Sequence, residues 1–257
     1  MDETYQTYVN RVAPMTVPAN YKQKLQNIQK SAKFEGEEAL PFPGYTLIIP
    51  TWQDDSDNEA FYNKLKSYQE QLLEELAPGL MIPVPPESFH LTVADLIWDN
   101  RYRDALEENT NFDNHLRDRI SNSFDKYKQS FNTTSPIQLQ LLGLTIFTRA
   151  IVVCLIPKDE QGYERILQAR RSIYQNPGII ALGIEQHYHF TAHITLGYFG
   201  EIAPDLDRDR TLSALAVLND KWLEIEPPLL TIKKAELRKF DDMMHYYRQP
   251  DWPVLEF

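Results

Sequence analysis

Apolar positions along the chain follow two rhythms, alternation typical of strands and three-to-four spacing typical of helices. Residues 45–52 (Tyr-Thr-Leu-Ile-Ile-Pro-Thr-Trp) have strand composition. Ser56-Asp57-Asn58-Glu59 then has the form of a capping box. Phe61, Leu65, Tyr68, Leu72 and Leu76 give the apolar stripe of a helix, which Pro78-Gly79 stops. A connector with Pro83, Pro85 and Pro86 leads to a second strand around His90. Phe112, Leu116, Ile120, Phe124 and Tyr127 share one face of the next helix, and residues 137–144 read as a strand.

The second half runs through the same order. Residues 151–156 form an apolar strand ending at Pro157. Asp159 and Glu160 open a helix carrying Tyr163, Ile166, Arg170 and Ile173, with Pro177-Gly178 as its expected stop. A strand through His193 follows, then a helix with Leu212, Leu215, Leu218 and Trp222, then a strand over about residues 229–240. Equivalent landmarks (Pro50 and Pro157, Pro78 and Pro177, His90 and His193) are 107, 99 and 103 positions apart. Such offsets predict a duplicated β-α-β-α-β unit. The expected organisation is an arm with one helix over residues 1–44 and a bilobal body over 45–257. Its lobes span about 45–145 and 148–240, with a tail at 241–257.

The repeat gives weight to a short pattern. His90-Leu91-Thr92-Val93 and His193-Ile194-Thr195-Leu196 share the order His-x-Thr-apolar. Residues 189–199 read as one strand, in which His193 and Thr195 point one way while Ile194 and Leu196 point into a core. Lobes related by a pseudo-two-fold would bring two imidazoles and two hydroxyls to one groove. That set suits phosphodiester chemistry. One neutral His takes a proton from the nucleophile, the other as imidazolium protonates the leaving oxygen, and the Thr hydroxyls donate to the non-bridging oxygens. No metal or other cofactor is called for.

The paired tetrads resemble those of the 2H phosphoesterase superfamily, the cyclic phosphodiesterase and 2′-5′ RNA ligase-like proteins, over about residues 45–240. The segment Phe42-Pro43-Gly44-Tyr45-Thr46 is similar to a less characterised bacterial and fungal branch. The resemblance implies an α+β, bilobal fold with two antiparallel sheets around a central cleft and helices outside. It also implies hydrolysis of cyclic phosphodiesters or 2′-5′ linkages, as in RNA processing, with His90 and His193 as catalytic residues and Thr92 and Thr195 as phosphate-binding residues.

Composition narrows the partners. A net charge of −11 over 257 residues repels long nucleic acids but leaves room for a small nucleotide or short oligonucleotide. The single Cys154 cannot form an internal disulfide, no apolar run is long enough to span a membrane, and no signal peptide is evident. A cytoplasmic protein is the expectation, of an oligomeric state the sequence leaves open.

Two other readings compete. The same fold could hold a nucleotide without hydrolysing it. Alternatively, His187, His189 and His193 could share one strand face as a metal site, although His187 and His193 would then lie roughly 20 Å apart. His115 reads as a solvated helix residue and His245 as part of a packing tail. Tyr198 and Phe199 could stack a base or pack the core, and Lys233, Lys234, Arg238 and Lys239 form a basic cluster, at the cleft or on a strand edge.

Overall fold

The computed structural model describes residues 2–130, 135–224 and 228–257. Helix α1 (Tyr5–Val12) opens the chain and α2 (Tyr21–Gln26) follows. A small hairpin, β1 (Phe34–Glu35) and β2 (Glu38–Ala39), ends the arm. The first half of the body contains β3 (Gly44–Ile48), α3 (Glu59–Glu75), β4 (Met81–Pro83), β5 (Thr92–Trp98), α4 (Asp99–Glu108), α5 (Phe112–Ser130) and β6 (Ile137–Phe147). The second contains β7 (Ala150–Pro157), α6 (Glu160–Tyr174), α7 (Pro177–Ile180), β8 (His193–Phe199), α8 (Arg208–Leu223), β9 (Leu230–Ile232) and β10 (Lys234–Phe240). Strands β11 (Tyr246–Tyr247) and β12 (Val254–Glu256) form the tail.

Two five-stranded antiparallel sheets carry the body, with the helices packed outside them. One sheet runs β11-β10-β3-β5, with β12 also on β10, and the other runs β4-β8-β7-β6-β9. The expected α+β fold is therefore present, and its repeat is legible in the sheets: β10-β3-β5 in one corresponds to β6-β7-β8 in the other. The lobes are not contiguous in sequence, however. Strand β6 of the first half pairs along β7, and β10 of the second half pairs along β3. The expected boundary near residues 145–148 instead falls in a hairpin turn inside the second sheet, because β6 and β7 are joined tightly enough to pair. The single strand expected over 229–240 divides at Lys233, its two parts serving different sheets.

The stripes do what their spacing dictates. Phe61, Leu65, Tyr68 and Leu72 of α3 are buried, and the Tyr68 ring stacks 4.0 Å from Trp222 of α8. Helix α6 begins where the Asp159 carboxylate accepts the Gly162 N–H at 2.7 Å. Three readings are corrected. Ser56 does not cap α3; a 3₁₀ turn precedes it, and the Asp55 carboxylate accepts the Asp57 N–H at 3.2 Å. Pro177-Gly178 begins α7 rather than stopping α6, since proline suits the first helical position, where its missing N–H costs nothing. The arm holds two helices rather than one, separated by turns at Pro14 and Pro18.

That arm is bound to the body. The Tyr5 hydroxyl donates to the Pro157 carbonyl at 2.6 Å, and Tyr21 donates to the Leu144 carbonyl at 2.7 Å. The Ser31 N–H donates to the Phe199 carbonyl at 2.8 Å, which sets the hairpin of β1 and β2 beside the end of β8.

Candidate active site

Strands β5 and β8 carry the residues of interest, and both are bulged. In β8, Thr195 pairs with Val152 and Gly197 with Ile151, so Leu196 is an extra residue. In β5, Val93 and Leu96 are extra in the same way against β3. An inserted residue reverses the alternation beyond it. Thr92, Asp95 and Trp98 therefore stay half-buried on one face while the residues between them are buried. His193, Thr195 and Tyr198 do the same on β8. The bulges thus add Asp95 and Tyr198, at equivalent places in the repeat, to the faces that carry the His-x-Thr pairs. Strict period-two reading hid both. The signal was the buried doublet after each threonine, Val93-Ala94 and Leu196-Gly197.

Both histidines are fixed by the same local device. His90 Nδ1 lies 2.7 Å from the Ser88 carbonyl oxygen, and His193 Nδ1 lies 2.7 Å from that of Thr191. A carbonyl only accepts, so each Nδ1 carries the hydrogen and each Nε2 is left with its lone pair. Neither Nε2, nor the hydroxyl of Thr92 or Thr195, has a hydrogen-bond partner among the described residues. Burial lowers the His90 pKa to about 4, against the raising effect of the Ser88 carbonyl, and the charges of His193 and Arg238 lower it further. Of the other imidazoles, His193 is the one whose charge acts on His90. His193 is lowered by burial as well, but the Thr191 carbonyl and the Asp95 carboxylate pull it back up.

The walls come from distant parts of the chain. The Tyr246 ring of the tail lies 4.2 Å from His90, and Phe147 of β6 meets His193 edge-on at 5.0 Å. The Tyr188 hydroxyl donates to the Asp95 carboxylate. The carriers of the two histidines differ. Ser88 is held by its own 3₁₀ turn, its hydroxyl donating to the Pro85 carbonyl at 2.7 Å. The segment before His193 is held by α1 instead. Arg11 donates to Thr191 Oγ1 at 2.9 Å and to the Phe190 carbonyl at 2.5 Å, while Glu3 accepts from its guanidinium at 3.0 Å.

This has a consequence for the expected strand over 189–199. Residues 184–192 are not strand: the segment meets β7 only at its end, where the Leu155 N–H donates to the Ala192 carbonyl at 2.9 Å, and the Phe190 carbonyl is taken by Arg11 instead. The proposed shared face of His187, His189 and His193 is therefore absent. His187 Nε2 lies 3.1 Å from Arg101, and His189 faces Glu3 at 3.9 Å, so neither stands with His193. No group of three or more His, Cys, Asp or Glu among the described residues could hold a metal ion. His115 is exposed beside Asn109 and Asn111. The basic cluster is neutralised: Lys233 pairs with Asp57 at 2.8 Å, Lys234 with Glu236 at 2.8 Å, Arg238 with Asp54 at 2.8 Å and Lys239 with Asp113 at 3.0 Å. No helix among the described residues is long and apolar enough to cross a membrane.

Comparison with known proteins agrees with this architecture. Residues 33–148 match the family model 2H-phosphodiest, described as a domain of unknown function (DUF1868). No curated protein matches the chain. The conserved protein of unknown function ATU0111 from Agrobacterium tumefaciens str. C58 is similar in structure, with a TM-score of 0.62 and 18% identity over 90% of this chain and 96% of that one. TT0787 of Thermus thermophilus gives a TM-score of 0.46 and 15% identity, over 82% and 94% of the two chains. E. coli LigT complexed with 3′-AMP gives 0.41 and 11%, over 84% and 95%. The match to the 2H-phosphodiest model over residues 33–148, together with an α+β fold of paired antiparallel sheets, supports a likeness to the 2H phosphoesterase superfamily.

Proposed function

We propose that the protein hydrolyses a small cyclic or 2′-5′ phosphodiester of a nucleotide or short oligonucleotide, using His90 and His193 as base and acid without a metal. The observation that carries this reading is the matched pair of imidazoles, each with Nδ1 on a carbonyl two residues back and Nε2 free. Their environments divide the roles. His90, at about 4, is neutral at ordinary pH and suited to accept a proton. His193 has Asp95 nearby to favour its charged form, and a bound phosphate favours it further.

In the proposed step, His90 Nε2 takes a proton from water as its oxygen bonds to phosphorus. The bond from phosphorus to the leaving ribose oxygen breaks, and His193 Nε2–H gives that oxygen a proton. Thr92 and Thr195 donate to the non-bridging oxygens, where the developing charge gathers. A 2′,3′-cyclic phosphate would yield a monoester, and a 2′-5′ linkage a monoester and a free hydroxyl.

The test is incubation with 2′,3′-cyclic nucleotides, 2′-5′ oligonucleotides and cyclic dinucleotides, with and without a chelator. Turnover unaffected by the chelator is expected. Full inhibition reversed by one divalent ion would overturn the metal-free mechanism, and a ligand recovered unchanged at saturating protein would favour nucleotide binding without hydrolysis.

A further inference from the structure

Two cations, Lys33 and Arg149, stand beside the end of β8. Lys33 leads into the small hairpin of the arm, where the Ser31 N–H to Phe199 carbonyl bond sets it beside β8. Its Nζ lies 3.1 Å from the Met243 sulfur, 4.5 Å from the centre of the Phe42 ring and 5.2 Å from that of Tyr198. A thioether is a weak acceptor, and aromatic faces supply no lone pair to an ammonium group with three donors. Arg149 stands in the turn between β6 and β7, two residues past the Phe147 ring that touches His193, and its guanidinium donates to Gln29 Oε1 at 3.3 Å. Neither Lys33 nor Arg149 forms an ion pair among the described residues. Both flank Phe199, whose N–H donates to the Arg149 carbonyl at 3.0 Å and whose carbonyl accepts from Ser31, two residues before Lys33; burial lowers the Lys33 pKa to about 8, Asp95 pulling it up and Arg149 pushing it down. Asp95 is itself engaged by the Tyr188 hydroxyl.

Position ties these cations to the histidines. Tyr198 shares the face of His193 and Thr195 through the bulge at Leu196. Tyr246, whose ring lies on His90, brings its hydroxyl to 3.7 Å from the same Met243 sulfur that Lys33 touches. Following these contacts, Lys33 Nζ lies no more than about 14 Å from the His90 ring. A nucleoside carrying two phosphates fits within that span. On a chain of net charge −11, two cations flanking one strand end and forming no ion pair among the described residues suit the binding of an anion.

We propose that Lys33 and Arg149 form a second anion subsite, which binds a phosphate of the substrate other than the one held between His90 and His193. The inference rests on the cleft being a nucleotide phosphodiester site, and it narrows the substrate class to nucleotides that bear a further phosphate group. The competing role for Lys33 is purely structural, as a cation stacked between the arm and the tail.

Binding of two product-like probes separates these roles. Adenosine 2′-monophosphate and adenosine 2′,5′-bisphosphate are titrated into the full chain by calorimetry, alongside Lys33→Met, Lys33→Arg and Arg149→Gln. The bisphosphate should bind at least about tenfold more tightly to the unmodified protein, as charge-assisted hydrogen bonds to phosphate require. Lys33→Met should bring the ratio of the two affinities close to one, Lys33→Arg should keep it, and Arg149→Gln should reduce it. If Lys33→Met does not fold, Arg149→Gln carries the test, because that side chain is exposed on a turn. Equal binding of the two probes by the unmodified protein, or an unchanged ratio in Lys33→Met, overturns the subsite. Turnover of 2′,3′-cyclic AMP is followed on the same samples. Turnover without discrimination removes the subsite alone, and discrimination without turnover removes the hydrolytic reading alone.

Discussion

Replacing His90 with Gln should alter the pH dependence of folding by an amount set by its surroundings. The imidazole is half-buried in the cleft, and its pKa falls from the ordinary 6.5 to about 4. Between those values the unfolded chain binds a proton that the folded chain refuses, so stability drops as pH falls. The penalty is absent above 6.5, grows as pH falls from 6.5 towards 4, and is constant below 4. At pH 4.5 it is on the order of 2 to 3 kcal/mol, most of its limiting value. His90→Gln keeps a donor for the Ser88 carbonyl and removes the titration. Urea unfolding at pH 7.5 and pH 4.5 measures both proteins. The unmodified chain should lose on the order of 2 to 3 kcal/mol more than the variant between the two conditions. Parallel losses, within about 0.5 kcal/mol, would refute the buried, neutral imidazole and with it the assignment of His90 as base.

His193→Ala and His90→Ala should each lower turnover of the accepted substrate by about two to four orders of magnitude, whereas His189→Ala should leave it near normal. Thr92→Val and Thr195→Val should each cost on the order of a hundredfold in kcat, measured at saturating substrate. The kcat profile should be bell-shaped with pH, its two apparent pKa values belonging to the histidine pair. Asp95→Asn removes a charge that raises His193, so the alkaline limb should move to lower pH; a stationary limb would contradict the assignment of His193 as acid. Arg11→Gln should lower kcat by roughly tenfold with KM little changed, since Arg11 acts through the segment that aims His193.

The elements that buried a continuous stripe were readable in advance. Phe61, Leu65, Tyr68 and Leu72 specify α3 because helical spacing and burial agree. The tetrads were readable because the repeat placed His90 and His193 at equivalent positions. What failed was whatever depends on a distant partner. Residues 184–192 reach a neighbouring strand only at Ala192, and the Phe190 carbonyl and Thr191 hydroxyl are bound by Arg11, some 180 residues earlier in the chain. Asp95 and Tyr198 were missed since bulges at Val93, Leu96 and Leu196 change the period. The contribution of Tyr246 to the cleft wall depends on the path of the tail, which local pattern does not encode.

The trade of β6 and β10 between sheets has a consequence for dissection of the molecule. Cutting the turn at residues 148–149 would leave each half holding a strand that completes the other's sheet. Neither fragment could close its own sheet, and the expected outcome is complementation, with fold and cleft returning only when both fragments are mixed. A lone copy of the repeated unit would face the same problem and could solve it only by exchanging its last strand with a second copy. The single chain therefore preserves, within one polypeptide, the geometry of a strand-swapped dimer, with one His-x-Thr strand in each of the two sheets so completed.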